Sequence, residues 1–330
     1  GAQVLSIGPA GENQSLISAM ITDGGRAAAR SGLAAVMGAK RLKAVVARGR
    51  ERVPLHDKET LTDVSRDYGR IFRKPSSPVS RALFGFTKTF APLIRVLGIK
   101  PSGPADAIIY LYKTYGTSGA TAFTTEVGDA PVWNWRGVGA RDFPLRQSKR
   151  VSDEAVIAYQ VENYGCRYCP VACGGIVHMG GERYQVEEAH KPEYETLAAF
   201  GPLLINDDLE AIVKINSLCD RLGLDTISTG TAAAFAVECA EHGLVDGTLG
   251  DGVELTWGNG DAVIQLVGDI ARREGIGDLL ADGVKRAAER IGGEAPSFAM
   301  HAGGQELPMH ESRYEPGLGL AYAVDPTPGR

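Results

Sequence analysis

The feature that most constrains this chain is a set of three cysteines within eight positions, Cys166, Cys169 and Cys173, in a stretch that also holds Gly165, Pro170, Gly174 and Gly175. Thiolates gathered in one loop serve a thiophilic metal, and the proline and glycines bend the backbone so that the sulfurs converge on one centre. A structural zinc site pairs its ligands and adds a second Cys/His pair; a C-x2-C-x3-C run with a Cys-Pro step is closer to iron–sulfur ligation. A cluster takes a fourth ligand. Cys219 and Cys239 are candidates by count, yet each lies in an apolar helical pattern, where a free cysteine behaves as a small buried hydrophobe.

Only those five cysteines occur in 330 residues, a usage that argues against a disulfide framework and for a reducing compartment, the cytoplasm by default. The length allows two domains, and 44% hydrophobic residues are enough for ordinary cores. A net charge of −5 leaves no basic field for a polyanion, so no nucleic-acid partner is expected; the small cluster Lys40, Arg41, Lys43 does not change that. No apolar run is long enough for a membrane-spanning helix. The chain starts inside an apolar strand pattern without a methionine and ends in a loop at Pro328, Gly329 and Arg330, which reads as an internal portion of a longer protein.

Strand-like runs at Val4–Ile7 and Ala44–Ala47 flank a stretch from Asp23 to Lys40 rich in Gly, Ala and Arg. Its small residues and arginines suit phosphate, but no P-loop or G-x-G-x-x-G spacing is present, so the spacing alone reads as a packed helix–turn. Leu61, Val64, Tyr68 and Ile71 recur at helical spacing in a region broken by prolines. The aromatics from Tyr110 to Trp135 read as core. A helix is expected from Ser152 through Tyr164, then the cysteine loop, then a hairpin turning at Met179–Gly181. Helices follow from Glu193, from the Asn206–Asp208 cap to Gly223, and over 228–242, 261–274 and 278–291. Gly223 ends one of them in a left-handed cap with Asp220 and Asp225 on either side, which places two carboxylates on a shared rim; Asp225 as the cap of the next helix is the plainer alternative.

Taken together, Cys166-x-x-Cys169-Pro170-x-x-Cys173, the run Pro192 to Thr196, and Asp220-x-x-Gly223-Leu224-Asp225 resemble the tungsten-containing aldehyde ferredoxin oxidoreductase family in order and spacing. The runs Ile7 to Glu12, Ala35 to Ala44, Asn134-Trp135 and Gly304 to Gly329 are similar to that family as well. The chain departs from the family pattern at Ala29 and Ser31, where glycines usually flank the arginine, and at Ala34 and Ala39.

The resemblance implies a helix-rich α+β fold. Residues 1–50 would be the end of a β-rich base domain that cradles the pterins, and 51–330 a mainly helical domain with the iron–sulfur loop. It implies a tungsten, rarely molybdenum, held by two pterins whose phosphates share a magnesium ion, with a [4Fe–4S] cluster nearby. Cys166, Cys169 and Cys173 match three cluster ligands, the family's fourth lying downstream. Asp220, Gly223, Leu224 and Asp225 match the first pterin-contacting motif, and Arg26, Ala27 and, less closely, Arg30 the segment that meets the phosphates. Glu195, then Glu193, is the catalytic choice, because a carboxyl desolvated near the metal can serve as acid or base.

The implied activity is oxidation of a small aldehyde to a carboxylate, with ferredoxin or a related protein as electron acceptor and a homo-oligomer allowed. One alternative keeps the cofactors and reduces an aromatic ring carried as a coenzyme A thioester. The other is a non-catalytic electron-transfer or zinc-stabilised protein using the cysteine loop alone.

Overall fold

Alternating side chains at the start of the chain make a strand, β1 (Gln3–Ile7), which pairs antiparallel with β2 (Met20–Thr22) on one side and β4 (Ala44–Ala47) on the other. β3 (Arg26–Ala28) adds to β2, giving the order β3-β2-β1-β4. The computed structural model describes residues 1–22, 25–51, 53–73, 77–98, 105–327 and 329; Asp23, Gly24, Pro101, Pro328 and Arg330 lie outside it. Within its described part, the stretch read as a packed helix–turn is strand over Arg26–Ala28, then a 3-10 turn Arg30–Gly32, then helix Leu33–Ala39. Three-residue strands are too short to show an alternation, and non-local pairing fixes them. Ile7, Ala34 and Met37 close a small core between this sheet and that helix.

Helices Lys58–Arg73, Pro78–Thr89 and Ala91–Val96 form where the periodicity predicts them, with proline starting the second and in the first turn of the third. The stripe Leu61, Val64, Tyr68 and Ile71 is nevertheless exposed.

The second sheet has the order β5 (Gln160–Tyr164), β6 (Gly174–Gly180), β7 (Gln185–His190), all antiparallel. The helix expected through Tyr164 stops at Ile157, because Gln160–Tyr164 pairs with β6 instead. The hairpin after the cysteines forms, but it turns at 181–184 rather than at Met179–Gly181, because Met179 and Gly180 stay in β6 paired with Val186 and Gln185; the cysteine loop is the connection from β5 to β6.

The main core lies among the later helices. Helix Thr226–Glu241 is buried nearly all round and packs on Tyr194–Phe200 and Gly260–Arg272, and Leu209–Leu222 packs in turn on Gly260–Arg272. Phe200, Phe235, Leu266 and Ile270 are fully buried there, each such side chain contributing about 1.5–3 kcal/mol. Cys219 and Cys239 are fully buried, as a hydrophobic role predicts. The helix expected over 278–291 is two, Ile276–Leu280 and Val284–Ile291. Gly283 breaks it at φ +83°, and Glu306 accepts from Val284 N at 2.8 Å to cap the second piece. No helix among the described residues is long and apolar enough to cross a membrane.

One junction positions the site. Ala19 N donates to Gly223 O at 2.8 Å and Asp225 N to Ile17 O at 2.9 Å, so the turn after Leu222 is sewn to the segment leading into β2. Gly8 and Gly223 meet back to back: a Cβ on Gly223 would stand 2.8 Å from Gly8 N.

Candidate functional site

The cysteine loop curls through two non-glycine residues in the left-handed region, Tyr168 at φ +65° and Ala172 at φ +52°. Cys169 N donates to Cys166 O at 2.8 Å, which closes the first turn. Cys166 and Cys169 are exposed and Cys173 is half-buried; all three are free thiols. Burial pushes the Cys173 thiol up, Glu193 adds to this, and Arg26 opposes it. Among the described residues no three His, Cys, Asp or Glu side chains stand close enough to hold a single metal ion. The donor set is three thiols without a histidine, spread along one loop, which suits a multi-iron cluster with a fourth ligand better than a single zinc ion.

Arg26 comes to this loop from β3. Its Nη1 is 3.7 Å from Glu193 Oε1, and its guanidinium lies 4.7 Å from the centre of the Tyr164 ring. Its Nε and Nη2 are buried with no hydrogen-bond partner among the described residues. Unsatisfied buried donors cost about 1–3 kcal/mol each, more when charged, so this fork is built to meet an acceptor. A Cβ on Gly174 would stand 2.6 Å from Nη2, so the loop's glycine gives the guanidinium its room. Ala27, next along β3, is exposed.

The two glutamates face different surroundings. Glu193 accepts from the Thr117 hydroxyl and turns toward Arg26 and Cys173. Buried Lys191 stands beside it, donating to Tyr115 O at 2.8 Å, its ammonium pulled down by burial. Glu195 opens the helix Tyr194–Phe200 on the other side. It accepts from Met309 N at 2.8 Å and lies 3.6 Å from His310 Nε2. Burial raises its carboxyl above the usual range, against the Met309 N–H and the charges of His310 and Arg30.

The two aspartates of the 220–225 turn do not share a rim. Asp225 is 2% exposed and turned inward: it accepts from Ile227 N at 3.3 Å and Ser228 N at 3.1 Å, capping the next helix, and pairs with Arg30 Nη1 at 3.4 Å. It borders a cavity of about 400 Å³ with Ser228 and Glu306. Asp220 borders another, of about 450 Å³, with Ser6, Gly8 and Ile21. Its carboxylate has no hydrogen-bond or ion-pair partner among the described residues, and burial pushes it up to about 7. The left-handed glycine between them, at φ +74°, reverses the chain and sends the carboxylates apart. Leu224 is buried and bridged to Ser18. Arg30 has its fork engaged, with Nη2 donating to the carbonyls of Glu306 and, at 2.9 Å, Gly329.

His310 reads from the sequence as a hydrogen-bonding loop residue and no metal ligand, and it does hydrogen-bond; its partner Asp129 is what sequence reasoning missed. His310 stands two places past Pro308 in a run that resembles the family, but Asp129, its partner at 3.0 Å, is 181 positions away and carries no local signal.

The description "Aldehyde ferredoxin oxidoreductase, N-terminal domain" matches residues 1–49, and "Aldehyde ferredoxin oxidoreductase, domains 2 & 3" matches residues 102–330. The chain is 36% identical over 325 residues to a tungsten-containing aldehyde ferredoxin oxidoreductase of Pyrococcus furiosus, covering 98% of this chain and 47% of that protein. It is also 36% identical over 324 residues to one of Thermococcus kodakarensis, with the same coverage. It thus spans about half the length of these relatives. A solved structure, the active site complex BamBC of benzoyl coenzyme A reductase with 1,5-dienoyl-CoA, superposes with a TM-score of 0.70 at 25% identity, covering 94% of this chain and 43% of that one. The chain belongs to the aldehyde ferredoxin oxidoreductase family.

Proposed function

We propose that the chain is part of a tungstopterin iron–sulfur oxidoreductase that oxidises aldehydes to carboxylates. The observation that carries the reading is Arg26, half-exposed but with its Nε and Nη2 buried and without a hydrogen-bond partner among the described residues, wedged between the cysteine loop and Glu193. It calls for an electron-rich group at that place, and three thiols stand beside it. When bound, the metal–pterin group takes two electrons from the substrate and the cluster passes them on singly to ferredoxin or a related protein.

In this reading Cys166, Cys169 and Cys173 hold the cluster together with a fourth ligand. Arg26, the backbone at Ala27, and Arg30 meet the pterin phosphates and their magnesium ion. Asp220 receives the pterin's pyrimidine N–H groups, which favour its ionised form and bring its carboxyl back down from about 7. Asp225, with Gly223 and Leu224, keeps the turn in shape for that contact. Glu195 takes one of the protons released as water adds to the aldehyde and carboxylate forms, and its raised carboxyl suits it to hold a proton nearer neutrality. Glu193 serves the cluster side. Residues 1–50 complete the base domain under the pterins, and 51–330 supply the rest.

A second reading, reduction of an aromatic ring carried as a coenzyme A thioester, is favoured by the likeness to the BamBC structure. The zinc or simple electron-transfer reading rests on the cysteine loop alone, whereas the family match extends along the whole chain. Metal analysis and EPR on the full-length protein purified without oxygen, with assays on aldehydes and on aryl-CoA thioesters, separate the three. Tungsten or molybdenum with iron and aldehyde oxidation supports the first, aryl-CoA reduction the second, and zinc alone refutes both.

A further inference from the structure

Asp129, His310 and Glu195 form a row in which none of the roles above uses the first two. Asp129 Oδ2 is 3.0 Å from His310 Nδ1, and His310 Nε2 is 3.6 Å from Glu195 Oε1. The backbone that carries His310 is fixed on every side. Met309 N donates to Glu195 Oε2 at 2.8 Å, and the Tyr194 hydroxyl donates to Met309 O at 2.6 Å. Glu311 N donates to Asp129 O at 2.6 Å, and the Tyr322 hydroxyl donates to His310 O at 3.4 Å. The Tyr194 ring lies 5.1 Å from the imidazole at 35°. The imidazole is thus clamped between two carboxylates, yet 34% of its side chain still meets solvent.

We propose that His310, oriented by Asp129, carries protons between Glu195 and solvent. This rests on the reading in which Glu195 handles the substrate's proton. With Nδ1–H donating to Asp129, the lone pair of His310 sits on Nε2, the atom that faces Glu195. Protonated Glu195 breaks its O–H bond and His310 forms an Nε2–H bond; the imidazolium, balanced by Asp129, then gives that proton to water. No electrons move, and the reverse sequence returns a proton. The 3.6 Å gap is one that catalytic hydrogen bonds close on substrate binding, or that one water bridges.

The surrounding charges agree with the direction of transfer. The hydrogen bond to Asp129 raises the imidazole most, burial opposes it, and the charges of Asp129 and Glu195 raise it further. Tyr194 and Tyr322, packed on the same loop, have their hydroxyls pushed up by burial and stay neutral. Arg30 and Asp225 act on Glu195 from the far side with opposite signs. The two carboxylates beside the imidazole favour its protonated form, so it can accept the proton that Glu195 holds.

A purely structural tie between the 309–311 loop and Asp129 makes a different prediction. The test is the rate of His310 modification by diethyl pyrocarbonate against pH, read by peptide mass spectrometry on the full-length protein, for wild type, Asp129→Asn and Glu195→Gln. The midpoint is expected above the ordinary histidine value in wild type, falling by about one pH unit in Asp129→Asn and by less in Glu195→Gln. With iron and tungsten contents unchanged, His310→Gly is expected to lose kcat rather than KM and to regain activity with added imidazole. The same midpoint in all three proteins overturns the proposal, as does a His310→Gly variant that keeps its metals and is not restored by imidazole. If Glu195→Gln abolishes turnover while the midpoints stay equal, the relay fails and the role of Glu195 stands; full activity in Glu195→Gln removes both.

Discussion

Replacing Asp220 by asparagine should have opposite effects on the cofactor-free and the cofactor-loaded protein. Burial lifts this carboxyl from 3.8 to about 7, with no partner to repay the desolvation. The folded state therefore holds a proton that the unfolded chain has released. The stability this proton supplies is fully present below pH 3.8, declines as pH rises, and is gone above about 7. At about 1.36 kcal/mol per unit the shift corresponds to roughly 4 kcal/mol as a ceiling, and to about 2 kcal/mol once partial solvent contact is allowed for. Asparagine keeps the shape and removes the charge. In full-length protein produced without tungsten or molybdenum, urea unfolding at pH 8 should show Asp220→Asn more stable than wild type by about 2 kcal/mol, the gain vanishing near pH 4. If Asp220 meets the pterin as proposed, the same change in the loaded protein would leave the pyrimidine N–H groups facing an amide that offers one acceptor in place of two, and the pterin content should fall. A stability difference independent of pH, or full pterin retention by the variant, would refute the reasoning.

Arg26→Met removes two buried donors that have no partner among the described residues, so the cofactor-free protein should be no less stable in urea, or more stable by about 1–3 kcal/mol, while iron and pterin contents drop together. Gly223→Ala places a Cβ at φ +74° and 2.8 Å from Gly8 N, and calorimetry or urea unfolding should find a loss of about 2 kcal/mol or more. Cys166→Ser, on an exposed thiol, should lower iron content with little change in unfolding midpoint; Cys219→Ser, fully buried, should do the reverse.

Local chemistry made the helices legible. Asp208 accepts from Ala211 N and Gly223 takes the left-handed cap, both as the residue types announce. The cysteine loop was equally legible, because the ligands of a cluster lie close in sequence. What could not be read was set by pairing across distance. β2 and β3 are three residues each, and β5 carries the last residues of a helical pattern that its partner β6 overrides. Gly283 looked like one more helical residue because its reason for breaking the helix, the carboxylate of Glu306 that caps Val284, lies 22 positions beyond Val284. The same limit hid Asp129 as the partner of His310.

The 220–225 turn shows why two like residues at one motif need not have like surroundings. An N-cap must point its carboxylate back at the N–H groups of the helix it starts, so Asp225 is turned into the protein, where Arg30 balances it. Asp220 is still inside the preceding helix, whose side chains project sideways, so it faces the groove beside Gly8. Only glycine at 223 lets the two helix ends follow so closely, and only glycine at 8 lets the first strand's exit lie against that turn. The helical part alone would leave Asp220 facing solvent, where its carboxyl would relax toward 3.8. The unpaired, proton-holding aspartate is thus a property of the sheet and the helices together, and a substitution that separates them, such as Gly8→Val, should lower the Asp220 pKa before it unfolds either.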